Sequence, residues 1–372
     1  MIHIQLNRGT LSLQPDENSA WQWQDLLGFA ERINPKRAFL FVSKVLGRHI
    51  PVSPDKIRHA FTDLANLVPD DLPEPILVIG MAETAVGLGA GVHQVLQQRY
   101  PNALYVTTTR HPVSDAPLLA RFLEEHSHAQ DQLLYGSPDA QIHQQLLNSK
   151  TVILVDDEAS TGKTFVNLVN ALQQAGLTAI SDVITTTLVD WSAGLQIKGL
   201  HCQSLALLKG QWQWQDAPNP PQIKMPKVDT VAHGHFESLQ HPTWGRVPIQ
   251  QTGQYIQLKA QPNERVLVLG SGEYVWSSFL LAEYLQQQGA AVKFSAITRS
   301  PIALGHAIQH ALAFSDNYGL GIQNFVYNVN PNDYDRILIT VETVADSVAP
   351  ELLAALPNAQ VISAVDFSHT FA

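Results

Sequence analysis

One segment, residues 151–164 with the sequence TVILVDDEASTGKT, limits the fold more than any other part of the chain. Its aliphatic run has strand length and is apolar at successive positions, the pattern of a parallel strand buried on both faces. The run ends in Asp156, Asp157 and Glu158, passes through Ala159, Ser160 and Thr161 to Gly162, and continues from Lys163 and Thr164 into FVNLVNAL, which has helical spacing. The expected local structure is strand, tight loop, helix. Such a loop directs successive backbone N–H groups, with the Ser160, Thr161 and Thr164 hydroxyls, to the positive end of a helix, where they suit a phosphate monoester. Asp156 and Asp157, at the carboxyl edge of the strand, can accept hydrogen bonds from vicinal ribose hydroxyls, so sugar and phosphate are expected side by side.

Two competing readings of this segment fare worse. Gly162-Lys163-Thr164 looks like the end of a nucleoside-triphosphate P-loop, but that motif requires glycine where Asp157 stands. An ordinary capped helix after an acidic strand end has no need of acids, small residues and glycine together.

Similar aliphatic runs recur at Ile76–Gly80, 183–189, 266–270 and 337–339, separated by stretches such as 86–100 and 165–175 that are long enough for crossover helices. The expected class is α/β with mostly parallel, Rossmann-like sheets. At 372 residues the chain has room for two domains. Residues 211–226 contain four prolines and no sustained period, so they are expected to link a first domain, 1–210, to a second, 227–372. Trp21, Trp23, Trp212 and Trp214 are expected to pack against neighbouring elements and not to act as stacking platforms.

The halves resemble each other. Gly80-Met81-Ala82-Glu83-Thr84 followed by Thr109-Arg110 has a counterpart in Gly270-Ser271-Gly272-Glu273 followed by Thr298-Arg299-Ser300, with glycine-to-arginine separations of 30 and 29. An internal duplication would explain this order, and two unrelated Rossmann-like domains would also produce it. Aligned on their sequences, Asp156 and Asp157 fall opposite Thr340 and Val341, and the loop falls near VADSV, which has no glycine, so a second catalytic site is not expected. Ser271, Gly272, Glu273, Thr298, Arg299 and Ser300 still stand at strand ends where open α/β sheets bind ligands. Gly270-Ser271-Gly272 lacks the third glycine of a dinucleotide fingerprint.

With 45% apolar and 15% charged residues the composition is that of a folded globular protein, and a net charge of −10 opposes attraction to nucleic acid or to an anionic membrane. The lone Cys202 can form neither an internal disulfide nor a cysteine zinc site, and it suits a reducing compartment. No basic and apolar leader opens the chain and no stretch reaches the length of a membrane helix, so a cytoplasmic location is expected. The partner is expected to be a small molecule.

VILVDDEASTGKT resembles the signature that binds phosphoribosyl pyrophosphate in type I phosphoribosyltransferases, the orotate phosphoribosyltransferase-like group. Residues 34–37 (NPKR), 39–51 (FLFVSKVLGRHIP), 124–129 (EEHSHA) and 297–301 (ITRSP) further resemble phosphoribosyltransferases with a C-terminal TRSP domain, found in bacterial tellurite-resistance-associated gene clusters. The resemblance implies a phosphoribosyltransferase-like fold and a magnesium-dependent transfer from phosphoribosyl pyrophosphate to a small nitrogenous acceptor, in making a nucleoside-like metabolite. It implies that Met81, Ala82, Glu83 and Thr84 form the loop at pyrophosphate, that a mobile hood spans 107–136, and that Mg2+ sits at Asp156 and Asp157 through water and substrate. Arg110, with Lys44 or Arg48, would counter the charge of the departing diphosphate. Glu158 is either an acid-base group or an exposed acid, His126 and His128 either contact substrate or metal or are solvated, and Lys36 and Arg37 belong to the same basic stretch. Two other functions stay open: a non-catalytic sensor of phosphoribosyl pyrophosphate, and a nucleobase salvage enzyme. A homodimer is one assembly open to the chain.

Overall fold

The computed structural model describes residues 1–35, 37–123, 131–221, 223, 245–251, 253 and 258–364. In chain order the strands are β1 (Ile2–Leu6), β2 (Gly9–Pro15), β3 (Leu27–Glu31), β4 (Phe39–Ser43), β5 (Ile76–Gly80), β6 (Leu104–Thr107), β7 (Leu118–Leu123), β8 (Asp131–Tyr135), β9 (Thr151–Ala159), β10 (Asp182–Asp190) and β11 (His201–Asp216). They continue with β12 (Arg265–Gly270), β13 (Ala291–Ala296), β14 (Ala311–Ser315), β15 (Gln323–Tyr327), β16 (Arg336–Val341) and β17 (Ala359–Ser363). The helices are α1 (Trp23–Leu26), α2 (Pro54–Asn66), α3 (Val86–Leu96), α4 (Ala140–Leu147), α5 (Lys163–Gln174), α6 (Trp276–Gln287) and α7 (Pro350–Ala355).

The apolar runs form the centres of two sheets. The first has the order β1-β2-β11-β10-β9-β5-β6, parallel from β11 to β6. Val152, Ile153, Leu154 and Val155 are fully buried, as a strand covered on both faces requires. The second sheet, β13-β12-β16-β17, is parallel throughout. Helices α2, α3 and α6 pack together between the two sheets, where Phe61, Phe279, Trp276 and Phe294 form a continuous aromatic core. Close packing there depends on Gly91, because a Cβ on it would lie 2.1 Å from the Phe61 ring.

The fold is α/β with mostly parallel sheets, as the sequence indicates. The first domain reads β6-β5-β9-β10 across its centre and the second reads β13-β12-β16-β17, the same succession of strands. Each also carries an antiparallel hairpin, β7–β8 or β14–β15, after its second strand. Thr109 bridges to Leu133 of β8 and Thr298 to Phe325 of β15, so the two Thr-Arg pairs occupy equivalent places.

Two expectations change. The linker does not begin at 211, because β11 runs unbroken to Asp216 and pairs there with β2. The alternation Trp212-Gln213-Trp214-Gln215 is a strand period, and both tryptophans pack against Phe39 at 4.9 and 5.2 Å. The sequence alignment of the halves is also one residue out of register. Gly80 pairs with Val155 and Gly270 with Thr340, so Val341 stands opposite Asp156 and Glu342 opposite Asp157. Hydrogen bonding to the central strand fixes this register, and aliphatic runs slide past one another without penalty in a sequence comparison. Among the described residues no helix is long and apolar enough to cross a membrane.

Candidate active site

The carboxyl ends of β5, β6 and β9 converge. Strand β9 delivers Asp156, Asp157 and Glu158 half-buried at its edge, and the chain reaches α5 through Gly162, whose φ of 74° is left-handed. That conformation strains any residue with a Cβ and turns the strand sharply into the helix. Ala159 is buried, Thr161 and Lys163 are exposed, and Ser160, Gly162 and Thr164 lie between these extremes, so the loop offers solvent a rim of N–H and hydroxyl groups. The Asp157 amide donates to Asp156 Oδ1 at 2.9 Å, and the Thr161 hydroxyl accepts from the Lys163 amide at 3.4 Å. Burial, with Glu158 close by, pushes the Asp157 carboxyl above its usual range despite the Asp156 hydrogen bond and the nearby Arg48.

The loop after β5 is tied to the same edge: the Met81 amide donates to Val155 O at 2.9 Å and the Ala82 amide to Thr108 Oγ1 at 2.8 Å. Met81, Ala82 and Glu83 are buried, and Thr84 is half-buried. Glu83 is ion-paired with Arg48, and its other oxygen lies 3.4 Å from Arg299 Nε. Burial alone would raise its pKa, but Arg48, Arg299 and Arg110 together hold it below the ordinary carboxylate value. Arg48 also donates to Gly272 O at 3.3 Å. Arg48 and Arg110 are thus brought to the predicted pyrophosphate loop. Lys44 is not, since its ammonium donates to Gln24 O at 2.8 Å, and residues 44–50 form bends with no helix to align Lys44 with Arg48.

Glu158 is neither exposed nor alone. Arg37 grips both its oxygens at 2.8 and 3.1 Å and lies over the Phe39 ring at 4.8 Å, while Trp191 stacks on Phe41 at 4.9 Å. An aromatic and cationic wall therefore flanks the acidic strand end. His126, His128 and Lys36 lie outside the described residues.

The six residues named in the second domain divide into two groups. Ser271 donates to Asn317 Oδ1 at 2.6 Å, and Glu273 accepts from Thr109 Oγ1 at 2.6 Å, from the Arg110 amide at 3.0 Å and from Arg246 Nε at 2.8 Å. Arg246 reaches on to Glu342 with two bonds of 2.7 Å, and Tyr318 donates to Glu342 at 2.6 Å. Burial would raise the Glu273 carboxyl, but Arg246, His111, Thr109 and the Arg110 amide bring it to about 2. These side chains satisfy one another inside the protein. Gly272 and Arg299 also face the first domain, with the Arg299 guanidinium 3.3 Å from His111 Nε2, while Thr298 Oγ1 accepts from the Ser300 amide at 3.2 Å. Arg246 was not singled out from sequence; an arginine without a local motif gives no such signal.

A family of phosphoribosyl transferases matches residues 26–206, and the TRSP domain that lies C-terminal to that family's domain matches 238–356. The chain belongs to the phosphoribosyltransferases with a C-terminal TRSP domain. No curated protein matches it. Among solved structures, a Neisseria gonorrhoeae hypothetical protein with bound ppGpp is similar at 15% identity over 44% of this chain and 84% of that one, with a TM-score of 0.27. A Staphylococcus aureus hypoxanthine phosphoribosyltransferase is similar at 15% identity, 44% and 79% coverage and a TM-score of 0.25. A Francisella tularensis orotate phosphoribosyltransferase is similar at 17% identity, 41% and 66% coverage and a TM-score of 0.25. The matched region 26–206 includes the acidic end of β9 and the loop to Gly162. The enzyme class follows from the family, and the TRSP region contributes Gly272 and Arg299 to the surroundings of Glu83.

Proposed function

We propose that this phosphoribosyltransferase transfers the phosphoribosyl group of phosphoribosyl pyrophosphate, assisted by magnesium, to a small nitrogenous acceptor. The observation that carries the reading is the placement of Asp156 and Asp157 at the end of β9, one loop from the Gly162 turn and beside the Glu83 loop. The 159–164 loop holds the 5'-phosphate, Asp156 and Asp157 hold the ribose hydroxyls, and Arg48 and Arg110 meet the diphosphate. As that bond lengthens, negative charge gathers on the leaving group and positive charge on the ribose ring. Preorganised arginines stabilise the first and the two carboxylates the second. The Arg37–Glu158 pair and its aromatic wall form one side of the acceptor pocket, with Glu158 fixed as an ion-paired acceptor.

Among the described residues no three His, Cys, Asp or Glu side chains converge as a metal cage. Two adjacent carboxylates are nonetheless the donor set that suits magnesium, which is held by one or two carboxylates together with substrate phosphates. Bound there, the ion would supply further neutralisation of the diphosphate.

The reading extends to a nucleoside-like metabolite as the product, made in connection with tellurite or stress resistance. The test is to incubate the full chain with phosphoribosyl pyrophosphate, magnesium and a panel of nitrogenous bases, and to follow pyrophosphate release. Acceptor-dependent release is expected. Tight binding without release across a broad panel would favour a sensor instead.

A further inference from the structure

Two of the sequence motifs, NPKR at 34–37 and ITRSP at 297–301, meet at the β3–β4 hairpin, which is wedged between the domains. On β4 the alternation of a strand sends Phe39 and Phe41 to the first domain, where they pack on Trp212, Trp214 and Trp191. It sends Leu40 and Val42 to the second, where they share a core with Ile302, Phe325 and Tyr327. The outer edge of β3 is paired as well. The Ile33 amide donates to Pro301 O at 3.0 Å, the Ala303 amide to Glu31 O at 2.9 Å and the Ala307 amide to Phe29 O at 3.0 Å. Positions 29, 31 and 33 are the alternate residues that one edge of a strand presents, so residues 301–307 are an edge partner of the hairpin.

Gly28 admits this close approach, because a Cβ on it would lie 2.9 Å from the Ala307 Cβ. Tyr327 shapes the partner segment: its hydroxyl donates to Ser300 O at 2.7 Å and accepts from the Ile302 amide at 2.9 Å. A two-stranded hairpin is marginal by itself, and a further partner on its edge gives it a fixed place. The tip of this hairpin carries Arg37. At its base the Arg32 amide donates to Ala38 O at 3.0 Å, and Arg8 donates to Arg32 O and Asn34 O at 3.1 and 2.8 Å. From there the Arg37 guanidinium reaches both oxygens of Glu158, the residue after Asp157 at the end of β9.

We propose that the second domain governs the acceptor side of the active site: residues 301–307 hold the β3–β4 hairpin in place, and the hairpin holds Arg37 on Glu158. The proposal rests on the reading of that ion pair as one side of the acceptor pocket. The route is mechanical and runs through backbone pairing. When 301–307 is loosened, the tip shifts and Glu158 loses its fixed orientation towards the acceptor. The Asp156–Asp157 edge and the turn at Gly162 are carried by β9 and α5 of the first domain and keep theirs. Pro301, Ala303 and Ala307 are thus positioning residues, and Arg37 is the group through which they act.

The experiment is steady-state pyrophosphate release by the full chain, with adenine, guanine, uracil, cytosine and nicotinate as acceptor probes and the most active of them varied against phosphoribosyl pyrophosphate. Arg37→Ala should raise the KM for that base about 10-fold and leave the KM for phosphoribosyl pyrophosphate within about 2-fold, the loss of one charge-assisted contact. Ala303→Pro deletes the amide that donates to Glu31 O and should raise the base's KM about 5-fold, with the same split. In the Arg37→Ala background it should add less than about 2-fold, because both changes act through one contact. Gly28→Ala crowds Ala307 without removing a hydrogen bond; it should give the same split and serves if Ala303→Pro does not fold. Folded Ala303→Pro or Gly28→Ala that left the base's KM unchanged, raised both KM values alike or added in full to Arg37→Ala would overturn the second domain's part and leave the acceptor-pocket reading standing. An unchanged base KM in Arg37→Ala would overturn that reading, and this proposal with it. A wild-type chain that released pyrophosphate with none of the probes would overturn phosphoribosyl transfer and the proposal together.

Discussion

Arg246→Met removes the charge that joins two buried acids of the second domain, and its effect can be worked from the structure. The guanidinium is 7% exposed and donates to Glu273 and Glu342, each 1% exposed at the side chain. Breaking a buried pair by deleting one partner costs about 3–5 kcal/mol, because the remaining charge has lost its compensation. The pH dependence is sharper still. In the wild type, Glu273 is brought from its usual 4.5 to about 2, so its contribution is present above about pH 4.5 and is lost as pH falls towards 2. That shift corresponds to roughly 3 kcal/mol. Without Arg246, burial dominates and the folded-state pKa rises above the unfolded one. The sign then reverses: the carboxyl favours folding when protonated, and stability is lost as pH rises through the raised value. Urea unfolding at pH 5 and pH 8 is the assay. The variant should lose more stability relative to wild type at pH 8 than at pH 5, and adding Glu273→Gln with Glu342→Gln should restore much of the difference. A loss under about 1 kcal/mol with no change in pH dependence would refute this account of the domain junction. Glu273 also holds Thr109 and the Arg110 amide, so kcat/KM for phosphoribosyl pyrophosphate should fall in the single variant.

Asp157→Asn should lower phosphoribosyl transfer on the order of 100-fold with little change in thermal stability, measured by pyrophosphate release and by melting. Gly162→Ala meets no steric neighbour closer than 4.0 Å but must adopt a φ of 74°; it should cost about 1 kcal/mol in stability and weaken ribose 5-phosphate binding, and unchanged values for both would show that the left-handed turn is dispensable. Arg37→Ala should raise the KM for the acceptor more than that for phosphoribosyl pyrophosphate, and steady-state kinetics with each substrate varied in turn would detect the split. Burial, with arginines nearby, holds His49 at about 3, and burial brings His93 and His111 to about 4 from the usual 6.5. The folded state therefore resists protonating all three, and stability should fall with proton uptake as pH drops below 6.5, a loss that calorimetric unfolding at pH 7 and pH 5 would register.

The acid-to-glycine run after an all-apolar stretch was sufficient by itself to indicate a buried parallel strand, a turn and a helix N-terminus, because those constraints are local. It indicated Asp156, Asp157 and Gly162 for the same reason. The α/β class followed from the spacing of aliphatic runs, and the 30- and 29-residue glycine-to-arginine separations pointed to the common order of the halves. The register of the second half was not legible, since an aliphatic strand can be aligned one residue either way at equal penalty until its hydrogen-bonding partner is known. The end of the first domain was misplaced because prolines at 218–226 drew attention from the two-residue period at 212–215. Pairings across the chain were invisible for a deeper reason. Arg37 meets Glu158 across 121 positions, Arg48 meets Glu83 across 35, and Arg246 meets Glu342 across 96, and nothing in the local sequence of an arginine names the acid it will face. Sequence determined the acidic strand end and the glycine turn, because both are made by neighbours. Only tertiary packing of α2, α3 and α6 decided which arginines surround Glu83 and that one of them comes from the second domain, because charge compensation in a buried place depends on distance in space and not along the chain.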